Sequence, residues 1–155
     1  DPNYRASLWS SEDEAVQWMK KPLSMVDILK ISDEELPLLT GTANLEEGSR
    51  ILSEYGISLI LITMSSEGAY YCYGDKTGRV PGVKTTVVDT NGAGDTFFGA
   101  LLCELAQESD WRTCSIEVLE SHIALANRAA SFTCSGSGAI PSMPTKAQLT
   151  EKENK

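Results

Sequence analysis

The chain has 155 residues, 41% of them hydrophobic, with 13 Lys and Arg against 22 Asp and Glu and a formal net charge of −9. This length allows one domain with a sizeable core. The acidic balance argues against binding to a nucleic-acid backbone, which requires clustered Lys and Arg. No run of about 18 apolar residues occurs, so the sequence predicts no membrane span.

The cysteines show no Cys-x-x-Cys spacing and lie in apolar surroundings; they are Cys72, Cys103, Cys114 and Cys134. This usage is typical of reduced intracellular thiols and not of a disulfide framework. We therefore expect a cytoplasmic protein.

The first part of the chain alternates helix and strand patterns. Ser11 and Glu14 form a candidate capping box for a helix that Pro22 ends, and residues 25–29 are typical of a buried strand. Two short helices are expected to end at Gly41 and Gly56.

A nearly unbroken apolar run over residues 57–63 favours a central strand buried on both faces. Residues 70–80 predict a β-hairpin with a glycine-bounded loop over 74–78. The β-branched residues 83–88 favour one more strand. Helices alternating with strands predict an α/β fold with a mixed sheet.

Residues 89–102, Asp-Thr-Asn-Gly-Ala-Gly-Asp-Thr-Phe-Phe-Gly-Ala-Leu-Leu, predict a strand end, a tight turn and a helix start. Gly92 and Gly94 allow the turn and the close approach of a ligand. The unpaired amides and the dipole of a helix start bind anions. Taken alone, Asp95 is either the N-cap of this helix or a functional carboxylate. The run lacks the Gly-Lys-Ser/Thr ending of a P-loop and the third glycine of Gly-x-Gly-x-x-Gly.

This run closely resembles the C-terminal signature of the ribokinase-like, or PfkB-type, carbohydrate kinases, and the chain is most similar to the fructokinase-like branch. The resemblance implies a three-layer α/β/α sheet, mainly parallel, with an antiparallel hairpin at its edge. Family members are longer and carry the signature in their second half. We therefore expect residues 1–150 to be the C-terminal part of an incomplete kinase domain, with 151–155 as a tail and the sugar-binding and lid half absent.

In the resembled family the final Asp of Gly-Ala-Gly-Asp is the catalytic base, which here is Asp95. The resemblance also implies an anion hole formed by Gly92, Ala93 and Gly94.

Several other positions match nucleotide-binding segments of these kinases. Thr63, Ser65 and Gly68 match a Thr-x-Gly-x-x-Gly-Ala turn that borders the nucleotide, with Ser65 in place of the first glycine. Asn127 matches an Asn-x-Ala-Ala helix, and Gly138 a Gly-Ala…Pro loop, both near the adenine. Taken alone, these segments are a strand-to-hairpin turn, an ordinary helix and a flexible loop over 135–141.

Asn3 and Arg5 resemble the substrate side of fructokinase relatives, although Arg5 could equally be a surface residue paired with Asp1 or Asp13. Glu35 matches a Glu that helps to hold magnesium through water. Ser32 replaces the Asn of that motif, and the alternative for this segment is a helix start capped by Ser32.

Asp89 and Asn91 are implied ligands of a monovalent cation through their backbone carbonyls. The family's cofactors are ATP and Mg²⁺, with K⁺ as a further candidate.

The C-terminal part predicts a helix over 116–132, in which the lone His122 is a helix residue. Thr145 and Gln148 are expected to cap a last helix.

The sequence thus predicts an ATP-dependent carbohydrate kinase whose partners are ATP and a small sugar. We expect the 155-residue fragment alone to be inactive and the complete protein to dimerise through its lid. Kinases of 2-keto-3-deoxygluconate, ribose or nucleosides in the same family remain alternatives. A nucleotide-binding pseudokinase or regulatory module is the alternative of a different class.

Overall fold

A computed structural model describes residues 1–150, apart from the side chain of Thr150, and the predicted tail 151–155 lies outside the described residues. The chain divides into two compact units. The sheet unit comprises Asp1–Met64 and Ala69–Arg79, and the helical unit comprises Ser65–Gly68 and the chain from Val80 onward. No helix within residues 1–150 is both long and apolar enough to cross a membrane.

The sheet unit alternates helices and strands as the sequence predicts. Its elements are α1 (Glu12–Lys20), β1 (Ile28–Ser32), α2 (Leu36–Thr40), α3 (Leu45–Ser53), β2 (Leu59–Thr63), β3 (Ala69–Tyr73) and β4 (Lys76–Val80), with 3₁₀ turns at Ala6–Leu8 and Leu23–Met25. The strands lie in the order β1-β2-β3-β4. β1 pairs with β2 in parallel and β2 pairs with β3 antiparallel. The predicted mixed sheet with a hairpin at its edge is confirmed.

The helix ends in this unit follow local capping chemistry. α1 begins after Ser11, whose side chain accepts a hydrogen bond from the Glu14 amide at 3.2 Å, so the N-cap half of the predicted capping box is confirmed. The Glu14 carboxylate does not return the bond to Ser11 and accepts from the Ser10 hydroxyl instead. α2 ends at Gly41, also as predicted. α3 ends at Ser53, and the Gly56 amide donates to the Ser53 carbonyl at 2.9 Å in the turn that follows.

Several strand boundaries differ from the predicted ones, and the strand predicted over 57–63 begins only at Leu59. The strand predicted over 25–29 begins at Ile28 and continues to Ser32, while Met25 ends a 3₁₀ turn with 78% of its surface exposed. Lys30 can lie buried in a strand because its Nζ pairs with Asp1 Oδ2 at 3.1 Å. The hairpin loop predicted over 74–78 is only Gly74-Asp75, because the chain pairs again from Lys76.

The core of the sheet unit lies against one face of the sheet. Ile60 and Ile62 of β2 are fully buried there together with Leu29 and Ile31 of β1 and Leu52 of α3. The alternate β2 residues Leu59 and Leu61 are also 0% exposed. β2 is thus buried on both faces, as its continuous apolar sequence predicts.

The helical unit contains α4 (Ala93–Leu105), α5 (Ile116–Cys134), α6 (Ala139–Ser142) and α7 (Lys146–Thr150), with a 3₁₀ turn at Trp111–Thr113. α4 and α5 pack together, and both carry buried apolar side chains, namely Phe97 and Leu101 of α4 and Leu119 and Ile123 of α5. The predicted signature helix is confirmed, and the helix predicted over 116–132 is two residues longer.

The remaining C-terminal predictions have mixed outcomes. His122 is a helix residue, as expected, and its Nε2 lies 2.8 Å from Glu108 Oε1. The Thr145 amide donates to Gln148 Oε1 at 2.8 Å, which confirms the predicted cap. The loop predicted over 135–141 is wrong at its end, because α6 begins at Ala139.

The strand predicted over residues 83–88 does not form. The segment has no regular secondary structure, and Val87 and Val88 are each 61% exposed. The amides of Val88 and Asp89 both donate to the Cys134 carbonyl at the end of α5, at 2.8 and 3.3 Å. β-branched composition describes a fit to a pleated sheet and supplies no pairing partner.

Ile60→Ala should lower the free energy of unfolding by about 2–5 kcal/mol, because a fully buried side chain is lost and a cavity remains. The matched control is Met25→Ala, which truncates a residue that is 78% exposed and should change stability by less than about 0.5 kcal/mol. Urea denaturation of the two variants measures both effects. Equal losses would contradict the burial of β2.

Candidate active site

The signature turn that precedes α4 is built on a left-handed residue. Gly92 is the N-cap of α4 with φ 77°, and the Thr96 amide donates to its carbonyl at 2.8 Å. A Cβ added at Gly92 would lie 2.6 Å from the Cβ of Ala139. Both the backbone conformation and the close packing of Ala139 therefore require glycine here.

Asp95 is the third residue of α4 and does not cap it, since the N-cap is Gly92. Its side chain is exposed and has no hydrogen bond or ion pair with any described residue. This excludes the capping interpretation.

The amides of this turn differ in their hydrogen bonding. The Ala93 amide donates to the Thr90 carbonyl at 3.2 Å. Within residues 1–150 the amides of Gly92, Gly94 and Asp95 have no acceptor. The start of α4 thus presents unpaired donors beside an unpaired carboxylate.

Asp89 joins the signature turn to the loop before α6. Its Oδ1 accepts from the Asn91 amide and its Oδ2 from the Gly138 amide, both at 2.9 Å. These hydrogen bonds, the Asn91 one first, lower the pKa of the Asp89 carboxyl below its usual value. The sequence did not indicate this role, because the family resemblance concerns the backbone carbonyls of Asp89 and Asn91.

Ser65 stands where the Thr-x-Gly-x-x-Gly-Ala motif has its first glycine. Its backbone is nevertheless left-handed, with φ 50°, a conformation that favours glycine. Its carbonyl accepts from the Gly68 amide at 3.3 Å. A Cβ at Gly68 would come within 2.2 Å of the Val80 carbonyl oxygen, so only glycine fits. The turn predicted from the resemblance is therefore kept despite the substitution.

Asn127 is buried within α5 and contacts the backbone of Val80 and Pro81, which belong to the same unit. Its Nδ2 donates to the carbonyls of Val80 and Pro81, each at 3.1 Å. These bonds satisfy two carbonyls at the point where the chain leaves the sheet. Asn127 is 7% exposed, so its amide is not a surface group of the helix.

Glu35 is 8% exposed and ties the N-terminal loop to the end of β1. Its Oε1 accepts from the Tyr4 amide at 2.7 Å and its Oε2 from the Ser32 amide at 2.8 Å. Ser32 Oγ accepts in return from the Glu35 amide at 3.1 Å. Ser32 therefore caps a turn and not a helix, since α2 begins only at Leu36.

The predicted substrate-side residues Asn3 and Arg5 are both exposed. Arg5 Nη1 donates to the Tyr4 carbonyl at 2.9 Å, whereas Asp1 pairs with Lys30. Thr63, at the end of β2, donates from Oγ1 to the Ile31 carbonyl at 3.3 Å.

Within residues 1–150, no three His, Cys, Asp or Glu side chains cluster in a way that could hold a metal ion. The sequence analysis missed the contact of Ala139 with Gly92 and the buried hydrogen bond from Thr133 Oγ1 to Thr96 Oγ1, at 3.0 Å. Neither pair has a local sequence signal, because both contacts join residues far apart in the chain.

Gly92→Ala should lower the free energy of unfolding by at least about 2 kcal/mol, because a left-handed alanine costs about 1–2 kcal/mol and its Cβ would also collide with Ala139. Gly99→Ala is the matched control, since a Cβ there meets nothing within 4 Å. In the middle of α4 this control should stabilise the protein by about 0.5–1 kcal/mol. Thermal and urea unfolding measure both, and a neutral Gly92 variant would contradict the geometry of the turn.

Glu35→Gln should destabilise the protein by about 1.5–3 kcal/mol, because an amide group cannot accept from two backbone N–H donors with both of its terminal atoms. Glu34→Gln, at an exposed neighbouring position, is the control and should be nearly neutral. Amide hydrogen exchange at Tyr4 and Ser32 gives a local measurement. Unchanged protection of both amides in the Glu35 variant would show that the two bonds are absent.

Comparison with known proteins identifies relatives across almost the whole chain. The model of the pfkB family carbohydrate kinases matches residues 1–146. Fructokinase from Vibrio alginolyticus is 31% identical over 149 residues, which are 96% of this chain and 48% of that protein. Fructokinase-1 from Zea mays is 37% identical over 152 residues, or 97% of this chain and 47% of that protein.

Solved structures agree with this relationship. A crystal structure of a fructokinase double mutant from Vibrio cholerae O395, in a form with fructose, ADP and potassium ion bound, superposes with a TM-score of 0.89 at 30% identity, covering 97% of this chain and 48% of that one. Aminoimidazole riboside kinase from Salmonella enterica, complexed with aminoimidazole riboside and an ATP analogue, gives 0.84 at 26% identity, covering 99% and 50%. The chain spans about half the length of the relatives it matches. Since the family model covers nearly all of its residues, this chain belongs to the pfkB family of carbohydrate kinases.

Proposed function

We propose that the complete protein is an ATP-dependent kinase of the fructokinase type, which transfers the γ-phosphate of ATP to a sugar hydroxyl. Residues 1–150 would be its C-terminal part, with the nucleotide side and the catalytic base. The observation that carries the proposal is the exposed, unpartnered carboxylate of Asp95 beside the unpaired amides of Gly92 and Gly94.

In the proposed reaction, the sugar oxygen attacks the γ-phosphorus while Asp95 accepts the proton of that hydroxyl. The bond from the γ-phosphorus to the bridging oxygen breaks, and ADP leaves with the electron pair. Phosphoryl transfer requires mainly positioning and charge stabilisation. The amides of Gly92, Gly94 and Asp95 would stabilise the phosphoryl oxygens, and Ala93 would fix the turn through its own bond to Thr90.

The nucleotide would be bound by Thr63, Ser65, Gly68, Asn127 and Gly138. The related Vibrio cholerae fructokinase structure contains ADP, and the Salmonella enterica aminoimidazole riboside kinase structure contains an ATP analogue. The turn from Ser65 to Gly68 supports this assignment. Both residues have left-handed backbone conformations, and the packing at Gly68 leaves no room for a side chain. Asn127 would act by fixing the backbone of Val80 and Pro81, since its amide nitrogen already donates to both carbonyls.

Magnesium would be held through water near Glu35. Each carboxylate oxygen accepts one backbone hydrogen bond and keeps a lone pair, so a water-mediated contact fits these residues. When bound, magnesium neutralises charge that develops on the phosphates.

The backbone carbonyls of Asp89 and Asn91 would bind a monovalent cation such as K⁺. The potassium-bound state of the Vibrio cholerae fructokinase supports the choice of ion. The Asp89 side chain fits this function because it fixes the turn that carries both carbonyls.

The sugar would meet Asn3 and Arg5, whose exposure leaves them accessible. The fructose bound to the Vibrio cholerae fructokinase favours fructose as the acceptor. A panel of sugars offered to the complete protein distinguishes fructose from ribose, nucleoside and 2-keto-3-deoxygluconate acceptors.

Asp95→Asn in the complete protein should lower the rate of sugar phosphorylation by about 10²–10⁴-fold, because the proton acceptor is lost. ATP affinity should change little, since the backbone amides remain. The matched control is Glu117→Gln, which neutralises an exposed carboxylate in the first turn of α5 and should keep the wild-type rate.

A coupled assay for ADP release and calorimetric titration with an ATP analogue measure the two properties. Full turnover by the Asp95 variant would rule out its role as base. ATP binding by the wild type without turnover on any sugar would favour a regulatory nucleotide-binding module instead.

A further inference from the structure

The helical unit contains a cavity of about 360 Å³ that none of the proposed kinase residues lines. It lies between the irregular segment Val83–Thr85, one face of α5 and the end of α7. Its volume is at the lower end of the range for small-molecule sites. The cavity can therefore accept a small metabolite.

The charge of the cavity wall is opposite to that of the protein as a whole. Between residues 80 and 150 the cationic side chains are Lys84, Arg112, Arg128 and Lys146. Lys84 and Arg128 line the cavity, and among residues 1–150 no Asp or Glu does. In a chain with net charge −9, this local excess of positive charge marks a place where an anion is favoured over a cation.

The polar groups on the wall include donors without partners. Lys84 and the hydroxyls of Thr85 and Ser131 have no hydrogen bond or ion pair with any described residue. Arg128 is held in place, because its Nη1 donates to the Leu149 carbonyl at 3.0 Å. A fixed guanidinium and an uncommitted ammonium on one wall suit an oxyanion.

We propose that this cavity is a second ligand site of the protein, which binds the phosphate group of a small phosphate ester or free phosphate. Lys84 and Arg128 supply the positive charge, and Thr85 and Ser131 donate from their hydroxyls. Phe132 gives an apolar wall for the body of an ester. The site is separate from the start of α4 and does not depend on the proposed kinase activity.

The test is calorimetric titration of the complete protein with inorganic phosphate and, separately, with a hexose monophosphate, each in the presence of a saturating non-hydrolysable ATP analogue. Wild type should bind phosphate under these conditions. Lys84→Gln should weaken binding by about five- to tenfold, because one charge-assisted hydrogen bond is lost. Lys146→Gln removes the same charge from a lysine that pairs with Glu104 outside the cavity, and it should bind as wild type does.

Ser131→Leu, which places a larger side chain in the cavity, should abolish binding without a loss of folding, as checked by circular dichroism. Tighter binding of the hexose monophosphate would identify an ester as the ligand, and equal or weaker binding would identify free phosphate. Equal affinities in wild type, Lys84→Gln and Ser131→Leu would overturn the proposal. Loss of phosphate binding when the ATP analogue is present would also overturn it, because the phosphate would then occupy the nucleotide site.

Discussion

The carboxylate of Asp89 is the interaction on which the candidate catalytic turn depends. It accepts from the amides of Asn91 and Gly138 and so connects two loops 49 residues apart in sequence. Ala139, next to Gly138, then lies so close to Gly92 that no side chain fits there. The turn before α4 is consequently fixed both by the hydrogen bonds of Asp89 and by the packing of Ala139 against Gly92. The unpaired amides of Gly94 and Asp95 therefore belong to a fixed backbone. Such preorganisation is what charge stabilisation in a transition state requires.

In the sheet unit, too, one carboxylate holds two backbone segments together. Glu35 is an acidic residue at the start of a helical segment, where its charge would ordinarily be explained by the helix dipole. In the structure, however, its two carboxylate oxygens accept hydrogen bonds from the backbone amides of Tyr4 and Ser32. The loop that carries Asn3 and Arg5 is thereby attached to the end of β1. A residue implied as a magnesium ligand thus also orders the proposed substrate side.

Much of the fold could be read from local patterns. The apolar run of β2, the cap at Ser11 and the glycine turn before α4 each rest on neighbouring residues, and the structure has all three. The sequence patterns failed where burial or pairing depends on distant groups. Lys30 interrupts the apolar pattern of β1 but is buried, because its charge is paired with that of Asp1. Residues 83–88 have strand composition, yet they pair with no strand, and the Val88 amide donates to the Cys134 carbonyl at the end of α5.

For the candidate site, the sequence by itself determined which residue types meet at the turn, because glycines and an aspartate adjacent in the chain are adjacent in space. It also determined the family, since the signature is long and continuous. Only the tertiary structure decided that Asp95 is not a helix cap and that the Ala93 amide donates to the Thr90 carbonyl. It also decided that the side chains of Asn127 and Glu35 bind backbone groups. The physical reason is that each polar group could form a hydrogen bond with any of several partners. Packing between segments that are distant in sequence determines which partner lies within reach.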